Sequence, residues 1–236
     1  TPLKGGHAMS APTWDDFAEL ALKRITSSGA EYGDIRIVHS TAQAIRGEDR
    51  RIASIRDSDD VGFGVRVLYH GGWGFAASSI PSLEEVPRVA ELAIEIAKGS
   101  ASVAIDKVRL AAEPVHQDRI TTVVRIDPFT VPLGQKADLL LATMESLQAQ
   151  SGVVRSSAEF WARRDRKMFV STEGSRLEFD LLASSGDCTA TALYDGRFAS
   201  RSFNTPQLRR GYELIEEAHF LGQAPRVARE AVEKVR

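Results

Sequence analysis

Apolar residues recur at helical spacing near the start of the chain and then switch to the alternation of strands. Trp14, Phe17, Leu20, Ala21 and Ile25 share one helical face, Thr13 stands at the N-cap with Asp16 three residues on, and Gly29 is placed as the stop. From Gly33 short β-like runs follow: Ile35 to Thr41, Ile52 to Arg56, Val61 to Tyr69 and Trp73 to Ser78. In the third run Val61, Phe63, Val65, Val67 and Tyr69 alternate with Gly62, Gly64, Arg66 and Leu68, so one face is apolar and the other partly small. Ser82 and Glu85 form a capping-box pattern before Val89, Ala90, Ala93 and Ala97, with Gly99 as the expected stop. Pro87 would remove one early hydrogen bond of that helix.

A stretch marked by Pro114, Pro128 and Pro132 reads as a linker, and the same order of elements then returns. Ala137, Leu140, Leu141, Met144 and Leu147 make a helix stopped near Gly152. The β-like runs after it are Val153 to Ala162, Met168 to Ser171, Leu177 to Ala183, Cys188 to Tyr194 and Phe198 to Phe203, and helices close the half near Tyr212 to Leu221 and Ala224 to Val235. A shift of about 124 residues brings Gly29 near Gly152, Gly62 onto Gly186 and Gly72 onto Gly196, the look of a diverged internal repeat. The expected fold is α+β, with two related lobes, each an antiparallel β-meander with helices packed on one face, since the turns are too short for helical crossovers. The expected boundaries are a leader or expression scar at 1–11, a first lobe at 12–112, a linker at 113–133 and a second lobe at 134–236.

Composition narrows the function classes. With 30 basic and 32 acidic side chains among 236 residues, no global field draws the chain onto phosphate backbones or anionic membranes. No apolar run reaches the roughly 18 to 20 residues that span a bilayer. The lone Cys188 has no partner for an internal disulfide, which suits a reducing cytoplasm, and its plain reading is a small buried apolar side chain. Residues before Met9 lack the apolar core of a secretory signal, so no export is expected.

The search for chemistry is largely negative. His7, His39, His70, His116 and His219 do not begin the His-Glu pair that gathers two imidazoles and a carboxylate around zinc on a helix. Asp57, Asp59 and Asp60 fail as a calcium loop because Val61 and Leu68 stand where oxygen ligands are needed, so a solvated turn is expected there. Gly62-Phe63-Gly64 fails as a dinucleotide loop, since Val67 takes the third glycine position and the strand pattern continues. No phosphate-binding loop or nucleophile elbow is present. Arg163 to Lys167 and Arg46 to Arg51 are the basic clusters; sparse aromatic platforms favour exposed hairpin tips over nucleic-acid contacts.

The order of motifs resembles a known family. Gly62-Phe63-Gly64-Val65-Arg66-Val67-Leu68 followed by Gly72-Trp73-Gly74-Phe75-Ala76-Ala77 is similar to the first lobe of TldD/PmbA proteins. Arg125-Ile126-Asp127-Pro128-Phe129-Thr130-Val131-Pro132-Leu133 resembles the link before that family's second lobe, and its Asp-Pro-Phe-x-Val-Pro-Leu core is closer to the TldD branch. Thr172-Glu173-Gly174-Ser175 and Cys188 to Ala192 are similar to second-lobe strands. Arg209-Arg210-Gly211-Tyr212-Glu213 and Ala228 to Val232 resemble the approach to the carboxyl-terminal domain.

The resemblance spans about residue 12 to 236, and what it implies is an amino-terminal region of a zinc metallopeptidase. In that family the His-Glu-x-x-x-His segment and a later cysteine lie in a carboxyl-terminal domain, which should follow Arg236. No catalytic, cofactor-binding or metal-binding residue carries over to this chain, its substrate-binding residues are unknown, and zinc is expected only in the missing domain. The implied partners are an unfolded or extended peptide and a TldD/PmbA-type subunit in a homo- or heterodimer, with no membrane and no direct nucleic-acid contact. The competing readings are a PmbA-type peptide-binding or assembly subunit, and a regulator of DNA gyrase, an older label of the family.

Overall fold

The computed structural model describes residues 12–206 and 208–236, so the expected leader at 1–11 lies outside the described residues. Helix α1, Trp14–Ser27, begins as its sequence predicts: the Asp16 amide donates to Thr13 Oγ1 at 3.3 Å and the Thr13 amide donates to Asp16 Oδ2 at 2.6 Å. Those two bonds satisfy donors that a helix start otherwise leaves open. They also hold the Asp16 carboxyl below its ordinary range, the backbone bond to Thr13 being the largest cause.

The strands are longer than the apolar runs suggest. Strand β1 is Tyr32–Glu48, β2 is Arg51–Tyr69 and β3 is Gly72–Ser78. Ile52 to Arg56 and Val61 to Tyr69 are therefore one strand, and Asp57, Asp59 and Asp60 lie within β2 rather than in a turn. After helix α2, Glu85–Val103, and short strand β4, Gln117–Thr121, come helix α3, Leu133–Gln148, and strands β5, Val153–Ser171, and β6, Arg176–Tyr194. Arg163 to Lys167 sits inside β5, not at a hairpin tip, whereas Arg46 to Arg51 does frame a turn, at Asp49-Arg50. The mid-strand residues are polar because neither core reaches them, and without a buried face the period-2 signal disappears.

Strand β7, Arg197–Asn204, and helices α4, Glu213–Glu217, and α5, Phe220–Val235, complete the fold. The sheet runs β3-β2-β1-β5-β6-β4, with β7 also paired to β6. Positive φ at Asp49 and Arg50, at His70 and Gly71, and at Asp195 and Gly196 marks the two-residue hairpins, whose twist suits antiparallel neighbours. The bonds Thr172 N→Gly33 O and Asp49 N→Ser156 O fall in one antiparallel register between β1 and β5. The fold is α+β, as the sequence predicts. The helix–three strands–helix order of α1 to α2 recurs from α3 to α5, with α4 added before the closing helix.

Two compact units divide the residues, and they are not consecutive stretches like the expected lobes 12–112 and 134–236. One unit takes the chain through His39, Asp60–Arg119 and Lys167–Phe179, and the other takes Ser40–Asp59, Ile120–Arg166 and Asp180–Arg236. The reason is strand length: β1, β2, β5 and β6 each give one end to each unit. In the first unit Ile35, Ile37, Phe63, Val65 and Val67 pack with Phe17 and Ile25 of α1 and with Val89, Ala93 and Ala97 of α2. In the second, Ala158, Phe160, Cys188 and Ala190 pack with Leu140, Met144, Val227 and Ala231.

Helix α2 differs from expectation at both ends. The Glu85 amide donates to Ser82 Oγ at 3.2 Å, but the Glu85 carboxylate turns to Arg88, so only half a capping box forms. Pro87 is tolerated because it lies in the first turn, where an amide has no intrahelical acceptor. The helix passes Gly99 and ends at Val103, and Ala101 in that last turn lies against Gly72 of β3. In the expected linker, β4 and the Asp127 turn are ordered elements; Asp127 accepts from the Phe129 amide, and its carbonyl from that of Thr130. Helix α5 starts at Phe220, four residues before the expected Ala224.

Candidate functional site

The described histidines stand apart in role. His39 lies in β1, His70 is a turn residue packed edge-on against Tyr69, His116 precedes β4 and donates its amide to Ser175 Oγ, and His219 caps α5 in a left-handed conformation. Among the described residues no group of three or more His, Cys, Asp or Glu side chains is arranged to hold a metal ion. His7 lies outside the described residues.

The most developed polar arrangement lies in the first unit, on the sheet face turned away from α1 and α2. Alternation puts Ile35, Ile37, Phe63, Val65 and Val67 into the helix-covered core, so Asp34, Arg36, Gly64 and Arg66 project from the opposite side. Asp34 is 1% exposed and accepts from Arg66 Nε at 2.8 Å and Nη2 at 2.7 Å, with Arg36 Nε at 3.3 Å from its other oxygen. The Arg66 guanidinium lies 4.7 Å from the centre of the Trp73 ring and 5.8 Å from that of Tyr32, and those two rings meet edge to face.

Burial and the Asp34 charge push the Tyr32 hydroxyl up to about 12. Burial works against the Arg66 charge, but Asp34 outweighs it and the guanidinium is held above its ordinary range. A pocket of about 350 Å³ opens beside this cluster, lined by Tyr32, Arg66, Trp73, Phe169, Ser171 and by residues of the extended segment 110–116. Ser171 is 3% exposed and its hydroxyl has no hydrogen-bond partner among the described residues.

Asp34, Tyr32 and Ser171 are absent from the sequence-based candidates, and Arg66 appears there only as a strand residue. The available signal was the i, i+2 spacing of Tyr32, Asp34 and Arg36, on the parity opposite to Ile35 and Ile37. The motif glycines have steric roles here. A Cβ on Gly74 would run into the Ala93 carbonyl of α2, and one on Gly64 would meet the Phe75 ring at 2.9 Å.

In the second unit, the segment Arg125-Ile126 is stitched to Gly211-Tyr212-Glu213. Glu213 is 2% exposed and accepts from the Ile126 amide at 3.0 Å and the Gly211 amide at 3.1 Å, while the Tyr212 amide donates to the Ile126 carbonyl at 2.8 Å. Burial alone would raise the Glu213 pKa; the backbone donors, Ile126 first, reverse that and leave it lowered. Lys136, also buried, donates to the Gln43 side chain and to the Pro128 carbonyl, and lies 5.3 Å from the centre of the Phe160 ring. Arg164, expected in a hairpin tip, forms a fork on Asp180 with 2.7 Å bonds to both oxygens and reaches Asp127 at 3.0 Å.

These stitched segments are the ones whose motifs resemble TldD/PmbA proteins, and sequence comparison agrees. Residues 33–97 match the family model described as PmbA/TldA metallopeptidase domain 1, and residues 126–236 match the PmbA/TldA metallopeptidase central domain. The chain belongs to the TldD/PmbA family. A relative named Metalloprotease from Methanocaldococcus jannaschii is 28% identical over 174 residues, covering 74% of this chain and 37% of that protein. Another of that name, from Methanothermobacter thermautotrophicus, is 28% identical over 148 residues, covering 63% and 31%. The chain thus spans about a third of the length of these relatives.

Solved structures share the TldD/PmbA fold. A candidate modulator of a DNA gyrase from Thermotoga maritima matches with a TM-score of 0.73 at 17% identity, covering 93% of this chain and 48% of that one. TldE from Thermococcus kodakarensis matches with a TM-score of 0.61 at 13% identity, covering 91% and 47%.

Proposed function

We propose that this chain is the non-catalytic amino-terminal region of a TldD-type zinc metallopeptidase, which shapes the chamber admitting unfolded peptides and supports assembly with a second TldD/PmbA-type subunit. The observation that carries the reading is the match of both family domains to a chain covering about a third of relatives named metalloproteases. Zinc and the residues that activate water on it belong, in this reading, to a domain outside these residues. When bound there, zinc would lower the pKa of water and polarise the peptide carbonyl.

The contribution of the described residues is to hold peptide. Among the described residues edge strand β3 has a sheet neighbour only in β2, so its outer edge can accept an extended chain by strand addition, with affinity from backbone bonds and little dependence on sequence. Phe75, 61% exposed on that strand, offers apolar contact to such a chain. Expression of the complete gene with and without its partner, followed by zinc analysis and cleavage of an unfolded peptide, tests the reading. Zinc-dependent cleavage is expected; a metal-free product inert towards peptide even with its partner would overturn it.

The second reading is a peptide-binding or assembly subunit of the PmbA type, favoured by the fold likeness to TldE. It predicts peptide binding and dimerisation with no zinc in the complete product. A gyrase-directed role rests on names alone, those of solved relatives and the older label of the family. It requires either gyrase in a pull-down or salt-sensitive DNA binding.

A further inference from the structure

The pocket beside Tyr32 and Trp73 carries a mixture of groups that selects a ligand class. Its walls are apolar at Leu110, Phe169 and Leu177, its mouth holds Glu113 and Glu173, and Ser171 supplies a buried hydroxyl with no partner among the described residues. Strand alternation aims Ser171 into this space, because Phe169, two residues earlier on β5, faces it and lies 5.3 Å beneath the Arg36 guanidinium. The register fixed by Thr172 N→Gly33 O sets Ser171 opposite Asp34, so the unfilled acceptor lies beside a carboxylate. Among the charged side chains that line the pocket, Glu113 and Glu173 outnumber Arg66, leaving its surroundings anionic. A buried hydroxyl without a partner is costly, and a donor arriving with a ligand would recover that cost.

We propose that this pocket is a subsite for a lysine or arginine side chain of a bound peptide. The aliphatic stem lies along Phe169 and Leu177, the carboxylates at the mouth attract the cation, and Ser171 Oγ accepts from its N–H. Arg66 does not turn the pocket towards anions, because its charge is paired with the buried Asp34 carboxylate, one oxygen of which accepts from both its Nε and its Nη2. The subsite rests on the reading that peptide meets this unit, and adds side-chain selectivity to a backbone-driven interaction.

The test uses the 236-residue chain and three capped tripeptides, Ala-X-Ala with X as lysine, norleucine or glutamate. Tryptophan fluorescence and amide shifts in NMR spectra report binding. The lysine peptide is expected to bind about fivefold more tightly than the norleucine peptide, to weaken with salt, and to move the amides of Glu113, Val115, His116 and 171–175. Ser171→Ala and Glu173→Gln should each weaken it about threefold, and neither should lower the melting temperature. Equal binding of the three peptides, preference for glutamate, shifts elsewhere, unchanged binding in both variants, or no binding would each overturn the subsite. Zinc-dependent cleavage of a lysine-free, arginine-free peptide by the complete gene product would show that the broader reading survives such a failure.

Discussion

The Glu213 carboxylate holds the Ile126 amide at 3.0 Å while the Ile126 carbonyl receives the neighbouring Tyr212 amide at 2.8 Å. One residue of the link is thereby bonded on both sides by Tyr212 and Glu213 at the start of α4, the latter eighty-seven positions later in the chain. A further bond, from the Gly211 amide, gives the carboxylate its second backbone donor. Two motifs far apart in sequence have a common physical purpose.

Glu213→Ala should cost about 1–3 kcal/mol, because two buried amides lose their acceptor. The pH dependence has a defined sign. A carboxyl with a folded-state pKa below its unfolded one contributes stability above the unfolded value of about 4.3, and loses it as pH falls through the folded value. Urea midpoints measured from pH 7 to pH 3 should fall less steeply for Glu213→Gln than for the parent chain.

Gly74 is where a close approach requires glycine. Its Cβ position lies against the Ala93 carbonyl and Ala97 of α2, so Gly74→Ala must push the helix off β3. Such overpacking costs about 1–3 kcal/mol. Gly99→Ala, at a helical position with nothing within 4 Å, should instead be neutral or stabilising. Thermal melts of the two variants give opposite signs if α2 packs as described.

Helices and strand cores were legible in the sequence because their burial is periodic. Thr13 and Asp16 announce α1, and Phe63, Val65 and Val67 announce the core of β2. The strand middles were not legible: Asp57 to Asp60 and Arg163 to Lys167 have turn-like composition, yet ladder bonds and side-chain forks hold them extended. The pocket was hidden for a related reason, since Tyr32, Asp34 and Arg66 meet only after β1 and β2 pair and Ser171 joins them from β5. A local pattern cannot report contacts made across more than a hundred residues.

Arg164 carries a prediction about the reinterpreted basic cluster. Its fork engages both oxygens of Asp180 in a partly exposed setting, where a pair is worth about 1 kcal/mol. Arg164→Lys keeps the charge but loses the two-pronged geometry. A double-mutant cycle with Asp180→Asn should show coupling for arginine and little for lysine.

Asp187 and Cys188 are neighbours on β6 with different responses to pH. Burial first, and Glu159 second, push the Asp187 carboxyl up to about 6. Its folded pKa exceeds the unfolded one, so its contribution is full below about pH 4 and is lost as pH rises through 6. Asp187→Asn should therefore gain stability relative to the parent between pH 4 and 7. Cys188 is fully buried and its thiol is pushed up to about 11, chiefly by burial. A thiol reagent at neutral pH should label it only after denaturant is added.

The central claim is tested most directly by unfolded-peptide hydrolysis with the complete native gene product, measured with zinc present and after chelation, beside the 236-residue chain alone. The account predicts zinc-dependent cleavage by the complete product, lost on chelation and absent from the shorter chain. A complete product that holds no zinc and leaves the peptide intact, even with its partner subunit, would contradict it.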